Sequence, residues 1–182
     1  MAVKTNFSRF RNENPFTDPL HITALILARG GSKGIPLKNL AKFSNSSLIS
    51  NALQHIKEVR NFNSIWVSTD NNLIASEVNK LKTQVHWRSE YTATDEASSL
   101  IAVQEFIRYH PEIDVVGLIQ CTSPFIKKQY LIEAIHQFYG NPKLECVFSV
   151  TRCGIVEINE IDSFEIDTDW DLKLANLIYN LI

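Results

Sequence analysis

The sequence predicts an α/β protein in which a mostly parallel sheet is covered by helices on both faces. Three observations carry the prediction. Apolar runs of strand length alternate along the chain with longer stripes at helical spacing, the pattern of repeated βα units. The first run, Ile22 to Ala28, passes straight into a glycine-rich basic turn. Clusters at Arg29, Asp70 and Gln120 each follow a strand, and so share the end of the sheet where open parallel sheets bind ligands.

The elements follow in order. After the strand Ile22–Ala28, the residues Leu48, Ile49, Ala52, Leu53, Ile56 and Val59 recur at helical spacing. Asn63 to Thr69 reads as a strand around Ile65-Trp66-Val67. Asp70 is placed to cap a helix running through Glu77 and Lys80, and Gln84 to Trp87 reads as another short strand. Leu100, Ile101, Val103, Phe106 and Ile107 make the next helical stripe, and Val115 to Ile119 a buried strand ended by Ser123-Pro124. Tyr130, Leu131, Ala134, Ile135 and Phe138 give a further helix, broken at Gly140-Asn141-Pro142, before a strand across Cys146 to Val150. Ile155–Ile158 and Phe164–Ile166 read as short edge strands. Asp169 to Ile182 reads as a final amphipathic helix, with Thr168 and Asp171 spaced as a capping box.

At 182 residues, 45% hydrophobic and 21% charged, the composition is that of one folded domain. That domain is expected over residues 21–182, with residues 1–20 as a flexible N-terminal arm. The arm has neither the apolar core of a secretory signal nor a membrane span, which favours nucleus or cytoplasm. Eighteen basic against 20 acidic side chains leave a net charge of -2, which gives no general surface for nucleic acid or membrane; any anion site must be local. Cys121, Cys146 and Cys153 form no CxxC pair and read as reduced thiols. The five histidines are scattered, and they and the Trp and Phe residues read as structural.

The glycine-rich turn has two readings. Arg29, Lys33 and Lys38 put positive charge where backbone N–H groups can face an anion, which suits a phosphate; Gly30 and Gly31 with solvated basic residues would equally make a plain turn. Asn39 and Ser98 read either as ligand groups or as helix caps, and Arg88 as a ligand group or a surface charge. Gln120 offers both donor and acceptor to a base or sugar, or to a buried partner. Glu165 and Asp167, two apart around Ile166, share a face if that stretch is extended.

The run Leu27-Ala28-Arg29-Gly30-Gly31-Ser32-Lys33-Gly34-Ile35-Pro36-Leu37-Lys38-Asn39 resembles the nucleotide loop of the N-acylneuraminate cytidylyltransferase (CMP-sialic acid synthetase) family. In the family's order it is followed by Trp66-Val67-Ser68-Thr69-Asp70, Trp87-Arg88-Ser89, Asp95-Glu96-Ala97-Ser98-Ser99, Gln120-Cys121-Thr122-Ser123-Pro124 and Phe164-Glu165-Ile166-Asp167. The resemblance implies a Rossmann-like nucleotidyltransferase domain that moves CMP from CTP to an N-acylneuraminate, releasing pyrophosphate, with Mg2+. It assigns Arg29, Lys33 and Lys38 to catalysis at the CTP phosphates, with Gly30, Gly31, Ser32 and Asn39 around them. Arg88, Ser98 and Gln120 fall at the cytidine or sugar site. Asp167 falls at the magnesium carboxylate, with Glu165 as its companion where aspartate is more common.

One departure stands out. After Val150-Thr151-Arg152 the chain passes almost directly to the late acidic stretch, where the family has a dimerisation and sugar-site segment. A shortened form of this kind is expected to be a monomer or a weakened homo-oligomer. The alternative function is a catalytically impaired CTP-binding or regulatory isoform, or a nucleotidyltransferase for another sugar acid.

Overall fold

Residues 22–26 are fully buried, the condition for a strand in the middle of a sheet covered on both faces. The computed structural model describes residues 2–4, 20–141, 144–147, 149–150, 156–157, 162 and 164–180. Its strands are β1 (Ala2–Lys4), β2 (Ile22–Leu27), β3 (Lys42–Phe43), β4 (Ser46–Ser47), β5 (Ser64–Thr69), β6 (Gln84–Trp87), β7 (Val115–Leu118), β8 (Cys146–Val147), β9 (Ser149–Val150) and β10 (Val156–Glu157). Its helices are α1 (Leu48–Lys57), α2 (Asn72–Lys80), α3 (Ser99–Tyr109), α4 (Lys128–Gly140) and α5 (Asp169–Tyr179).

The main sheet has the order β6-β5-β2-β7-β1-β8. β6, β5, β2 and β7 run parallel, and β1 is antiparallel to both its neighbours. Alternation along β2 sorts the two layers. Ile22, Ala24 and Ile26 meet α1, α2 and α4, whereas Leu25 and Leu27 meet α3 through Val103 and Phe106. The expected Rossmann-like α/β layering is therefore present. Thr23 stays in the interior because its hydroxyl donates to the Ser64 carbonyl at 3.1 Å.

The helices begin where polar side chains close their first turns. Ser47 accepts from Ser50 N–H, Ser98 from Ile101 N–H, and Thr168 with Asp171 forms the expected capping box. α2 differs from expectation: Asn71, not Asp70, caps it, accepting from the N–H groups of Leu73 and Ile74. α5 lies against β3 and the start of α1 through Ala175, Phe43 and Leu48.

Other differences concern the late chain. Phe164–Ile166 is not a strand; Phe164 and Ile166 pack beside Phe125 and Ala175, and the Ile166 N–H donates to Thr122 at 2.9 Å. Burial of alternate residues against one cluster imitates strand periodicity here. The stretch Cys146–Val150 divides, β8 joining the main sheet and β9 pairing in parallel with β10. α1 ends before Val59, and α5 ends at Tyr179 with residues 181–182 outside the described part. Of the expected arm, residues 1 and 5–19 lie outside the described residues, and Ala2–Lys4 is β1. Trp87 and Trp170 are 55% and 78% exposed, against the expectation that the tryptophans pack inside. Among the described residues no helix is long and apolar enough to cross a membrane.

Packing between α1 and the sheet contributes to stability. Leu53 is completely buried among Ile26, Ile56 and Val67, and truncating such a side chain leaves a cavity as well as losing transfer energy. Leu53→Ala is expected to cost about 2–5 kcal/mol in urea unfolding. Leu73→Ala, on the exposed side of α2, should change stability by less than about 0.5 kcal/mol.

Candidate functional site

The carboxyl ends of β2, β5 and β7 open onto one side of the molecule, and the loop after β2 is folded down across them. Its first residue, Ala28, prolongs the strand pairing by donating to the Ser68 carbonyl at 2.9 Å. Gly30 then donates its N–H to Asp70 Oδ1 at 2.8 Å, so the carboxylate that the sequence assigned to a helix cap closes the loop instead. A side chain at position 30 would place its Cβ 2.7 Å from the Asn71 amide nitrogen. Glycine is required there by close approach rather than by a special φ.

The loop's far end carries a strained residue. Leu37 has φ 49° and ψ 42°, the left-handed region that a branched apolar residue occupies only under tertiary constraint. The 310 turn Lys38–Leu40 follows. Asn39, 6% exposed, donates its amide to the Arg29 carbonyl at 3.0 Å and accepts the Cys121 thiol at 3.0 Å. Burial pushes the Cys121 thiol up to about 12, which keeps it a neutral donor. Asn39 thus acts as a strut that joins the two ends of the loop to the segment after β7.

Beneath the loop lies a polar cavity of about 480 Å³, within the size range of small-molecule sites. It gathers Arg29, Ser32, Lys33, Lys38, Asn39, Arg88, Gln120, Glu165 and Asp167, drawn from four separate stretches of sequence. Gly30, Gly31 and Ser98 do not line it. Ser98 spends its hydroxyl on the α3 cap instead, at 3.4 Å from Ile101 N. Leu27, Gly34, Thr94, Asp95, Ala97, Ser99, Cys121 and Thr122 complete the wall; of these, only Asp95 reads from the sequence as a binding residue, and there the start of the next helix is the preferred reading.

Asp95 is the most consequential of them. Its two carboxylate oxygens lie 2.5 Å from Arg29 Nη1 and 3.0 Å from Lys33 Nζ. The Lys33 hydrogen bond, aided by Arg29, holds the Asp95 carboxyl below the usual aspartate range. Its signal in the sequence is that it opens the Asp95-Glu96-Ala97-Ser98-Ser99 stretch, between the Arg88 cluster and the α3 cap. Asp167 makes the matching contact on the other side, 2.8 Å from Lys38 Nζ. Glu165 accepts from the Ser123 hydroxyl at 3.4 Å.

Arg88 occupies the inner wall, only 9% exposed. Burial pushes its guanidinium pKa down, partly opposed by the charges of Asp70 and Glu105. One Nη donates to the Thr92 carbonyl, while its Nε has no hydrogen-bond partner. The turn that receives Arg88 is itself held by Glu105, which accepts from the Ser89 N–H at 2.8 Å and from the Thr92 hydroxyl. Burial acts to raise the Glu105 pKa, but these hydrogen bonds hold it below its ordinary value. His86, next along β6, contacts His110 at 3.2 Å among Phe106 and Tyr109, and burial lowers its pKa.

Four cations and three carboxylates thus face one cavity. Such a wall suits a polyanion: the cations bind it, and the carboxylates keep them from repelling one another while it is absent. Among the described residues no three His, Cys, Asp or Glu side chains converge as a metal cluster. Glu165 and Asp167 nevertheless offer two carboxylates to the same cavity, and a cation, Lys38, already sits on Asp167. That donor set fits Mg2+, which is commonly held by one or two carboxylates together with substrate phosphates.

A family model described as Cytidylyltransferase matches residues 23–166. The chain is 44% identical over 132 residues to N-acylneuraminate cytidylyltransferase A of Danio rerio, covering 72% of this chain and 30% of that relative. It is 30% identical over 163 residues to N-acylneuraminate cytidylyltransferase of Escherichia coli, covering 88% of this chain and 39% of that relative. The chain therefore spans well under half the length of the curated relatives it matches. Among solved structures it is similar to a CMP:2-keto-3-deoxy-manno-octonic acid synthetase complexed with CTP, with a TM-score of 0.61 at 20% identity over 68% of this chain and 49% of that one. It is also similar to 4-diphosphocytidyl-2C-methyl-D-erythritol synthase from Anaerococcus prevotii, with a TM-score of 0.63 at 13% identity over 90% of this chain and 100% of that one. These two likenesses speak for the fold.

The contact between the loop and the late acidic segment is tight enough to test. A Cβ on Gly34 would lie 2.5 Å from the Asp167 carbonyl oxygen, whereas one on Gly31 meets nothing within 4 Å. Gly34→Ala is expected to cost about 1–3 kcal/mol in urea unfolding, the scale of overpacking a fixed backbone. Gly31→Ala should stay within about 0.5 kcal/mol of the parent protein.

Proposed function

The chain belongs to the cytidylyltransferase family, and from that premise we propose that it transfers CMP from CTP to an N-acylneuraminate, giving CMP-sialate and pyrophosphate. The observation that carries the proposal is the convergence of Arg29, Lys33, Lys38, Arg88 and Gln120 on one cavity at the carboxyl ends of the parallel strands. The names of the vertebrate and bacterial relatives support the sialic acid acceptor.

In the proposed reaction an acceptor hydroxyl oxygen bonds to the α-phosphorus of CTP while the bond from that phosphorus to the pyrophosphate oxygen breaks. The hydroxyl proton leaves to solvent or base. Negative charge grows on the phosphate oxygens and on the departing pyrophosphate, so groups already fixed in place to meet it lower the barrier. Arg29 presents a planar fork of donors, and Lys33 and Lys38 act as point charges. None of the three is needed as a covalent nucleophile.

The remaining wall suits the rest of the nucleotide. Arg88 and Gln120 offer donors, and Gln120 also an acceptor, to a base or sugar edge. Arg88 is buried on the cavity wall, with one Nη held by the Thr92 carbonyl. Mg2+ would be held by Asp167 with Glu165, where it would neutralise charge on the phosphates. Lys38, now paired with Asp167, would then be free to turn to the phosphates.

The test is to incubate the purified chain with CTP, Mg2+ and N-acetylneuraminate and follow products by mass spectrometry. CMP-N-acetylneuraminate and pyrophosphate are expected together. Arg29→Ala should lower the rate by about 100-fold or more, the usual cost of removing one preorganised charge-stabilising donor. Arg29→Lys should not restore it fully, because the fork is lost. CTP binding by calorimetry without any product would make the chain a nucleotide-binding module, and no CTP binding at millimolar ligand would overturn the reading.

A further inference from the structure

We propose that Asp95 is a built-in competitor for the phosphate site: its carboxylate occupies the anion position between Arg29 and Lys33 in the empty protein and is displaced by the phosphate chain of the nucleotide. The inference rests on the reading of the cavity as a phosphate site. It goes beyond that reading by giving the site an internal occupant that sets its affinity.

Three observations carry it. The first is geometric: Asp95 uses one oxygen for each cation, at 2.5 Å to Arg29 and 3.0 Å to Lys33, as two oxygens of a phosphate would. The second is that all three side chains line the cavity itself. Lys33 is 79% exposed at its side chain, so it is free to follow whichever anion is present.

The third is the way the carboxylate is mounted. Thr94 to Ser98 is a short strap without helix or strand, between the 310 turn Glu90–Ala93 and α3. Both ends are anchored: Thr92 donates to Glu105 on α3, and Ser98 caps α3. Within the strap, the Ala97 N–H donates to the Thr94 hydroxyl at 3.2 Å. The carboxylate can swing aside by a change confined to these few residues, with no helix or strand unpaired.

Two consequences follow from tethering an anion in the site. In the empty protein it offsets repulsion between Arg29 and Lys33 and holds both at the cavity wall. Against a ligand it competes at the high effective concentration of a short tether. Anions with few contacts are therefore resisted, and pyrophosphate left after reaction is met by the returning carboxylate.

The test compares binding of CTP and of pyrophosphate, each with Mg2+, to the wild-type chain and to Asp95→Asn, Asp95→Ala and Glu96→Gln. Glu96 is exposed and off the cavity wall, so Glu96→Gln removes the same charge from the same strap without touching the pair. Both Asp95 variants are expected to bind CTP and pyrophosphate about 3- to 10-fold more tightly, the worth of one or two partly exposed ion pairs that no longer have to be broken. The gain should shrink at high salt, and Glu96→Gln should match wild type. Wild type binding CTP while the Asp95 variants bind no tighter, or Glu96→Gln equalling them, would overturn the inference alone. No binding of CTP to wild type or any variant would overturn the phosphate reading and the inference with it.

Discussion

The buried amide of Asn39 is the interaction on which the rest of the site depends. It ties the Arg29 carbonyl at one end of the loop to the loop's return, and it receives the Cys121 thiol from the loop after β7. At 6% exposure the amide has little water to fall back on, and leaving either half unpaired would cost about 1–3 kcal/mol. The loop it closes carries Arg29, Lys33 and Lys38, charges that repel one another. Fixing them in place requires anchors that the loop itself does not contain. Cys121, Asp70, Asp95 and Asp167 supply these from four later stretches, and the parallel topology brings those stretches to one end of the sheet.

The same topology explains a local charge pattern hidden in the totals. The whole chain carries a net charge of -2, yet the cavity wall presents four cations against three carboxylates. Two of those carboxylates are already paired across the opening, Asp95 with Arg29 and Lys33, and Asp167 with Lys38. These pairs are partly exposed, so they exchange partners at modest cost. A polyanionic ligand takes the cations and a divalent cation takes the carboxylates. Under the proposed function, the nucleotide and its metal would be accommodated by exchanging partners among charges already present, with Arg88 held separately on the inner wall by the Thr92 carbonyl.

How much of this was legible in the sequence depended on range. Features written within four residues of one another read well: the apolar run of β2, the α1 and α3 stripes, and the Thr168–Asp171 box, because each is a local pattern with a local cause. Asp70 and Asn71 sit side by side at one strand-to-helix turn and both suit a cap; only the position of Gly30 across the turn decides that Asp70 serves the loop. Asp95 reads as a helix start before it reads as a binding residue for the same reason, since its partners Arg29 and Lys33 belong to the first strand's loop and nothing near Asp95 announces them. Phe164–Ile166 misled by its alternation, which records burial against Phe125 and Ala175 rather than strand pairing. Ser98 carried two readings, and the helix claimed its hydroxyl.

The central claim is that the cavity under the loop after β2 receives the triphosphate of CTP. A crystal structure of the chain with CTP and Mg2+ tests it most directly. Phosphate oxygens are expected against Arg29, Lys33 and Lys38, the metal on Asp167, the cytidine toward Arg88 and Gln120, and the Asp95 carboxylate moved off both cations. Nucleotide bound elsewhere, or bound with its phosphates away from these cations and the Asp95 pairs intact, would contradict it.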